Sequence, residues 1–447
     1  MKKVDHHDLI EVSDMPDRYV LSNANVFSGR DSLWFYHHDI IVENGMIRDV
    51  KPHDSILIED YKSIDVTNKF VIPGLIDANV YLLVSGAVPW EKRKASIDVN
   101  LQAYLYMGIT TVYDMGGDAD RLEQISQSIE QGERIGPRIY HGHYPVSITE
   151  SHPFPMARLY VPKWFQRSFE KKYPVMKSEK DALDIAKGFL DLKVDYMTVV
   201  CDELPSHTPS MPASFLTALT KTSHDRIMKV FAHVGSAQNA MTALNAGVDV
   251  LVQGIVRDSL TDEQIDAIIA AEVPIIWTLA PVINRYLAMN DEYVPSFTDR
   301  VLIPEEIIAP MEHGFLENSK SYDVLKAYLA DIKTGKKHWI SNLKRFYQRG
   351  GEVLIGSGSN ALGAYAGATY LQELKLLQEM GISTKELLLA ATSGNTRLIN
   401  GNTPYGFLIP HRVAEMVVLN SDPMVDISAI DDQAFLIKGK QRIDRKM

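Results

Sequence analysis

Four histidines and one short acidic run carry the residue types in this chain best suited to moving protons or holding a metal. In "YHGHYP", His141 and His143 stand at i and i+2, which places them on one face of an extended strand. His152 follows in "ITESHP", and His233 closes the apolar stretch "VFAH". Together these imidazoles could form a nitrogen-rich metal site. Spacing alone is a weak metal signal, and the favoured reading has His141 and His143 lining a pocket and bonding substrate or backbone. Cys201-Asp202-Glu203 follows another apolar stretch. A histidine beside a cysteine can activate a thiolate, and one beside a carboxylate can serve as general base. Tyr81 and Asp114 each end an apolar run, and a phenol there could act as acid or orienting donor. Such a set suits proton abstraction, elimination, isomerisation or cyclisation. Taken singly, Cys201 reads as a small half-buried residue and Asp202-Glu203 as a solvated loop, so the chemistry depends on a fold that gathers them.

The elements that must do the gathering alternate regularly. Apolar strands are predicted over 70–77 with a break at Pro73-Gly74, and over 109–114, 137–141, 195–200, 228–233, 248–252, 273–279 and 352–356. Amphipathic helical patterns lie between them, as at 181–192 and 236–246, and some end at a glycine that leads into the next strand. Eight such units predict an α/β fold, a (β/α)8 TIM-type barrel. A doubly wound open sheet competes, but no glycine-rich phosphate loop supports it, and "GSGSN" at 356–360 is too short for one. The 284–347 stretch exceeds one helix and is expected to cover the barrel mouth. Before the barrel, "DIIVENGMIRDV" reads as a hairpin around Asn44-Gly45. After the helix expected at 384–399, strands return at 414–420 and 434–443. The economical arrangement is a small β-sandwich domain built from both chain ends, residues 1–69 and 405–447, with the barrel over 70–404 between them.

Composition bounds the partners. A chain of 447 residues with 45% apolar and 23% charged side chains is an ordinary globular protein, large enough for one big domain and a smaller one. Lys and Arg number 46 against 57 Asp and Glu, a net charge of −11 that argues against nucleic acid. The "EKRK" at 91–94 is short and opens a predicted helix. Cys201 is the single cysteine, so no intrachain disulfide can form. The start "MKKVDHHDLIEVSD" has no apolar stretch of a secretory signal, and no run is long enough to span a bilayer. A cytoplasmic protein with a small-molecule partner and no membrane partner is expected.

Several motifs resemble the amidohydrolase superfamily, in its branch of imidazolonepropionase-related and Xaa-Pro-dipeptidase-like enzymes. "VIPGLIDANVYL" is similar to that family's first barrel strand, "GITTVYDMGG" to its second, and "ATSGNTRLING" with "AEMVVLNSDPMVDISAI" to its last helix and returning β-strands. The resemblance implies one or two divalent metals at the C-terminal end of the strands. Their ligands would be two strand-one histidines, a strand-four lysine, single histidines on strands five and six, and a strand-eight aspartate. At those positions this chain has Asn79, Tyr81, Thr198, His233, Gln253 and Gly358. The resembling branch also often carries a histidine near the substrate where His152 stands, and the family is often oligomeric, so a homo-oligomer is expected.

The substitutions bear directly on mechanism. Bound zinc lowers the pKa of water from ~15.7 to ~7. That difference is worth roughly 12 kcal/mol of hydroxide stabilisation at ~1.36 kcal/mol per pKa unit. Neutral amide and hydroxyl groups bind zinc poorly and cannot stand in for imidazoles and a carboxylate. The leading expectation is therefore a metal-independent small-molecule enzyme of lyase, isomerase or cyclase type, with no cofactor. His233, Tyr81, Asp114 and Cys201 would carry the chemistry. Asn79, His141, His143, His152, Thr198, Gln253 and Ser357 would bind the substrate. A non-catalytic pseudoenzyme is the alternative, and a C–N hydrolase with a relocated metal the weaker one.

Overall fold

The structure is a computed structural model that describes residues 9–30, 34–53, 59–91, 96–399 and 403–446. Two sheet systems organise it. The first is a nine-stranded sheet in which strands from both chain ends interleave. Its path runs Ile10–Asp14, Gln441–Arg445, Gln433–Lys438, Glu415–Leu419, Phe70–Pro73, Arg18–Phe27, Trp34–Glu43 and Met46–Pro52, with Lys62–Asp65 added to Arg18–Phe27. The predicted hairpin is present. Asn44 and Gly45 both take positive φ, +51° and +75°, between Trp34–Glu43 and Met46–Pro52. Tyr19, Leu21, Val26, Ile40, Val71, Met416 and Ile437 pack as this sheet's own apolar cluster.

The second system holds the alternating units. Its parallel strands are β1 (Leu75–Val80), β2 (Ile109–Asp114), β3 (Arg138–His141), β4 (Met197–Val200), β5 (Val230–His233), β6 (Val250–Gln253), β7 (Ile275–Trp277) and β8 (Val353–Ile355). They form two arcs, β1 to β3 and β4 to β8, with each strand parallel to its neighbour. Single parallel bridges join the arc ends, Val80 to Ser359 and Val146 to Val199. Helices cover the outside of both arcs, and most of the large apolar cluster lies between strands and helices.

The stretch 70–77 breaks at Pro73-Gly74 as its residues predict, into two strands of different sheets. Phe70–Pro73 belongs to the terminal sheet, pairing with Glu415–Leu419, and β1 starts after Gly74. Proline supplies no amide hydrogen to continue the ladder. Gly74 passes so close to Thr110 that any Cβ would collide with that side chain. The helix expected at 384–399 is also subdivided. An α-helix runs Thr384–Leu389, then the chain widens to a π-turn at Ala390–Gly394 and tightens to a 3₁₀ turn at Asn395–Leu398. The change of pitch turns Asn395 inward. Its amide donates to Ile76 O at 2.8 Å and Ile355 O at 2.9 Å, tying β1 to β8.

The helix expected to open at "EKRK" runs Ile97–Tyr106, capped by the Ser96 side chain on Val99 N; Lys92, Arg93 and Lys94 lie outside the described residues. The reading of "MKKVDHHD" as lacking a signal lies there too. Over 280–348 the chain makes a series of helices, ending in the long Asp323–Gln348. Three residues of this segment, Pro281, Arg285 and Tyr328, line the cavity described below. Among the described residues no helix is long and apolar enough to cross a membrane.

Candidate active site

Beyond the C-terminal ends of the strands lies a cavity of about 300 Å³. Tyr81, Thr198, His233, Gln253 and Thr278 reach it from or just beyond strand ends. His152, Met156 and Tyr160 enter from the excursion between β3 and β4, and Arg285 and Tyr328 from the helices after β7. Leu83, Val84, Met115, Leu204 and Val252 make most of the wall apolar. A few polar groups in an apolar hollow is the ordinary composition of a small-molecule site.

His233 is the best-placed acid–base group on that wall. It closes β5, three buried residues leaving only its side chain part-exposed at the strand end. Its Nε2 lies 2.8 Å from Gln253 Oε1, and its Nδ1 is 3.7 Å from Asp202 Oδ2. Asp202 follows β4 and is itself held by Arg257, whose Nη2 is 2.5 Å from Oδ1. Gly235 makes room for this carboxylate, since a Cβ there would sit 2.6 Å from Oδ2. Gln253 takes φ +87°, a conformation that costs a side-chain-bearing residue about 1–3 kcal/mol. The strain has a visible result, because the turn aims the Gln253 amide at the imidazole. An imidazole on the wall of an apolar cavity, bonded through Nε2 to a side-chain amide and with a carboxylate 3.7 Å from an Nδ1 that makes no hydrogen bond to protein, is of the right type and place for acid–base work.

His152 stacks on His233, ring centroids 5.4 Å apart and planes at 26°. Burial first, then the neighbouring His233, pushes its pKa down to about 3, so it stays neutral at physiological pH. Its Nδ1 is buried without a protein partner. The cavity thus holds one imidazole near a carboxylate and one kept neutral.

The remaining predicted residues stand outside this wall. Asn79 is buried and donates to Thr278 Oγ1 at 3.1 Å. Asp114 turns back to accept from Leu82 N at 2.6 Å and Gly116 N at 3.0 Å, and burial lifts its carboxyl to about 6. Cys201 is buried, and burial drives its thiol well above the ordinary range, the reverse of an activated nucleophile. Ser357 donates its hydroxyl to Asp77 at 2.5 Å. His141 faces Glu123 at 3.4 Å in a separate polar hollow with Asp195 and Lys193. His143 accepts from Ala119 N and packs on Phe189. His141 and His143 therefore do not join His152 and His233. Sequence reasoning passed over Arg285, Tyr328 and Arg257. The one available signal was an arginine within the apolar "LAPVINRYLAM".

The amidohydrolase family model matches residues 70–442, over four-fifths of the chain. The chain belongs to the amidohydrolase family. No curated protein matches it. Solved structures share the fold at low identity. A Xaa-Pro dipeptidase with methionine bound in its active site is 16% identical with a TM-score of 0.74, covering 96% of this chain and 100% of its own. Phenylurea hydrolase B is 16% identical at 0.75, covering 96% and 97%. Molinate hydrolase is 15% identical at 0.74, covering 96% and 95%. The eight parallel strands are thus the TIM-barrel core of an amidohydrolase-fold protein.

Membership raises the question of the family's metals. At the six positions where the resemblance placed ligands, the side chains are a buried amide bonded to Thr278, a phenol, a hydroxyl, one imidazole, an amide bonded to that imidazole, and the bare Gly358. Among the described residues no three His, Cys, Asp or Glu side chains come together as a metal-binding group. A zinc site needs three or four nitrogen, sulfur or carboxylate donors, so these residues do not fit the family's metals.

Proposed function

We propose that this amidohydrolase-family protein acts on a small molecule in the C-terminal barrel cavity through proton transfer by His233, without the family's metals. The observation that carries this reading is the Arg257–Asp202–His233–Gln253 line, which ends on the wall of the cavity. Asp202, 3.7 Å from Nδ1, would offset the positive charge the ring gains on taking a proton. The neutral His152 would hydrogen-bond the substrate, and the Tyr81 phenol, kept protonated by burial, would donate to developing negative charge. The reaction class is proton abstraction of the lyase, isomerase or cyclase type. The similar structures bear hydrolase names, and hydrolysis with His233 as base towards water is read out by the same assay.

A second reading is a binding protein without turnover. Both nitrogens of His233 already face protein groups, which favours it. Incubating the purified chain with an extract of small metabolites, and following consumption by mass spectrometry, separates the two. Consumption that survives a chelator and is lost in His233→Gln supports proton transfer. Chelator-sensitive consumption, or consumption unchanged in His233→Gln, overturns it. Retention of a metabolite without conversion supports the binding reading.

A further inference from the structure

Arg285 lies on the helix Ala280–Met289 that follows β7 and is only 4% exposed. Its Nη1 donates to Leu362 O at 2.7 Å, and its guanidinium lies over the Tyr328 ring, 5.2 Å from the centroid. Its Nε is buried without a partner. Among the described residues no carboxylate pairs with it. Other arginines on or near the core each face one: Arg257 meets Asp202 at 2.5 Å, Arg138 meets Glu415 at 2.9 Å, and Arg445 meets Asp431 at 3.1 Å.

A buried guanidinium without a counter-charge is costly to keep. The phenols nearest to it do not supply the charge. Burial raises the pKa of both Tyr81 and Tyr328 above the ordinary phenol range, so they remain neutral beside the cation. The cation–π contact with Tyr328 compensates only in part. A second unsatisfied donor lines the same cavity. Asn360, 3% exposed and held at φ +70°, has its Nδ2 buried without a partner. The rest of the wall is largely aliphatic.

We infer that the ligand of this cavity is a small carboxylate with an apolar body, its carboxylate received by Arg285 and Asn360. The inference rests on reading the cavity as the ligand site but not on any turnover there. Guanidinium and carboxylate match as a planar fork, which an ammonium does not reproduce. The apolar body would lie along Met115, Leu204 and Val252.

Binding of phenylacetate, 3-phenylpropionate and 4-methylvalerate to the full chain, each against its primary amide, tests this by calorimetry or ligand-observed NMR. At least one acid is expected to bind tenfold or more tightly than its amide. In Arg285→Gln that preference should fall to within twofold, with the amide's own affinity kept. In Arg285→Lys, a backup should the glutamine variant fail to fold, it should fall at least threefold. The acid preference is read from binding alone, with no turnover required, which separates failure of the anion reading from failure of the proton-transfer reading. Equal binding of acid and amide, no binding of any acid, or a preference unchanged in both Arg285 variants would overturn the inference.

Discussion

At the scale of single residues, the site shows how one carboxylate can have two duties. Asp202 neutralises the buried Arg257 and stands 3.7 Å from His233 Nδ1. Replacing it by Asn keeps the shape and removes the charge, leaving the guanidinium uncompensated at a side-chain exposure of 11%. Asp202→Asn is therefore expected to lower unfolding stability by roughly 3–5 kcal/mol, as for one partner removed from a buried pair. Urea melts at neutral pH measure it. A loss below about 1 kcal/mol would mean that Arg257 is satisfied by its other contacts, Asn239 and the Glu203 carbonyl. Not every residue of promising type is so placed. In sequence Cys201 is a catalytic candidate and Ser357 a substrate-binding one, yet the first is a buried core thiol and the second is locked onto Asp77. Their types were readable, but their direction was not.

At the scale of elements, the junction of first and last strands decides whether the cavity has a floor. Asn395 makes two amide donations, to Ile76 O and Ile355 O, and accepts from Ile355 N at 3.3 Å. Asn395→Ala would strand these backbone groups in a dry interior, at a cost of about 1–3 kcal/mol for each group left unsatisfied. A melting-temperature drop of several degrees is the expected outcome, with hydrogen exchange faster in β1 and β8 than in β4 and β5. Uniform exchange would show that the bridge at Val80–Ser359 suffices alone. Element types were largely legible: β2 spans the predicted 109–114, and the helices near 181–192 and 236–246 stand within a residue or two at each end. The break at Pro73-Gly74 was legible too, but the change of helical pitch at 390–398 was not, because it answers to distant neighbours, the carbonyls of Ile76 and Ile355.

At the scale of the whole molecule, buried carboxyls set an unusual pH dependence. Burial lifts Asp77 to about 7, Asp114 to about 6 and Glu373 to about 7, against ordinary values near 4. Between about pH 4 and 7 the folded chain thus holds protons on these groups that the unfolded chain has released. Stability from them is fully present at low pH and falls as pH rises through that window. His152, pushed down to about 3, acts with the opposite sign below its ordinary value, as one group against three. The melting temperature is expected to be higher near pH 5.5 than near pH 7.5, and Asp77→Asn should shrink that difference. An identical pH profile in Asp77→Asn would place its proton elsewhere.

From its order of residues alone, the chain determined its family and its alternation of strands and helices. It also determined the identity of the groups at the ends of β1, β4, β5 and β6. These follow from periodicity, turn chemistry and short motifs, all local properties. Only the tertiary structure decided which groups share a space. His141 falls into a polar hollow, His143 packs against Phe189, and His152 and His233 share the cavity, although all four could have been drawn as a single site. Arg285 reaches the cavity from a segment legible only as a cover. Contact between residues tens of positions apart depends on where whole elements pack, and local sequence carries no record of that distance.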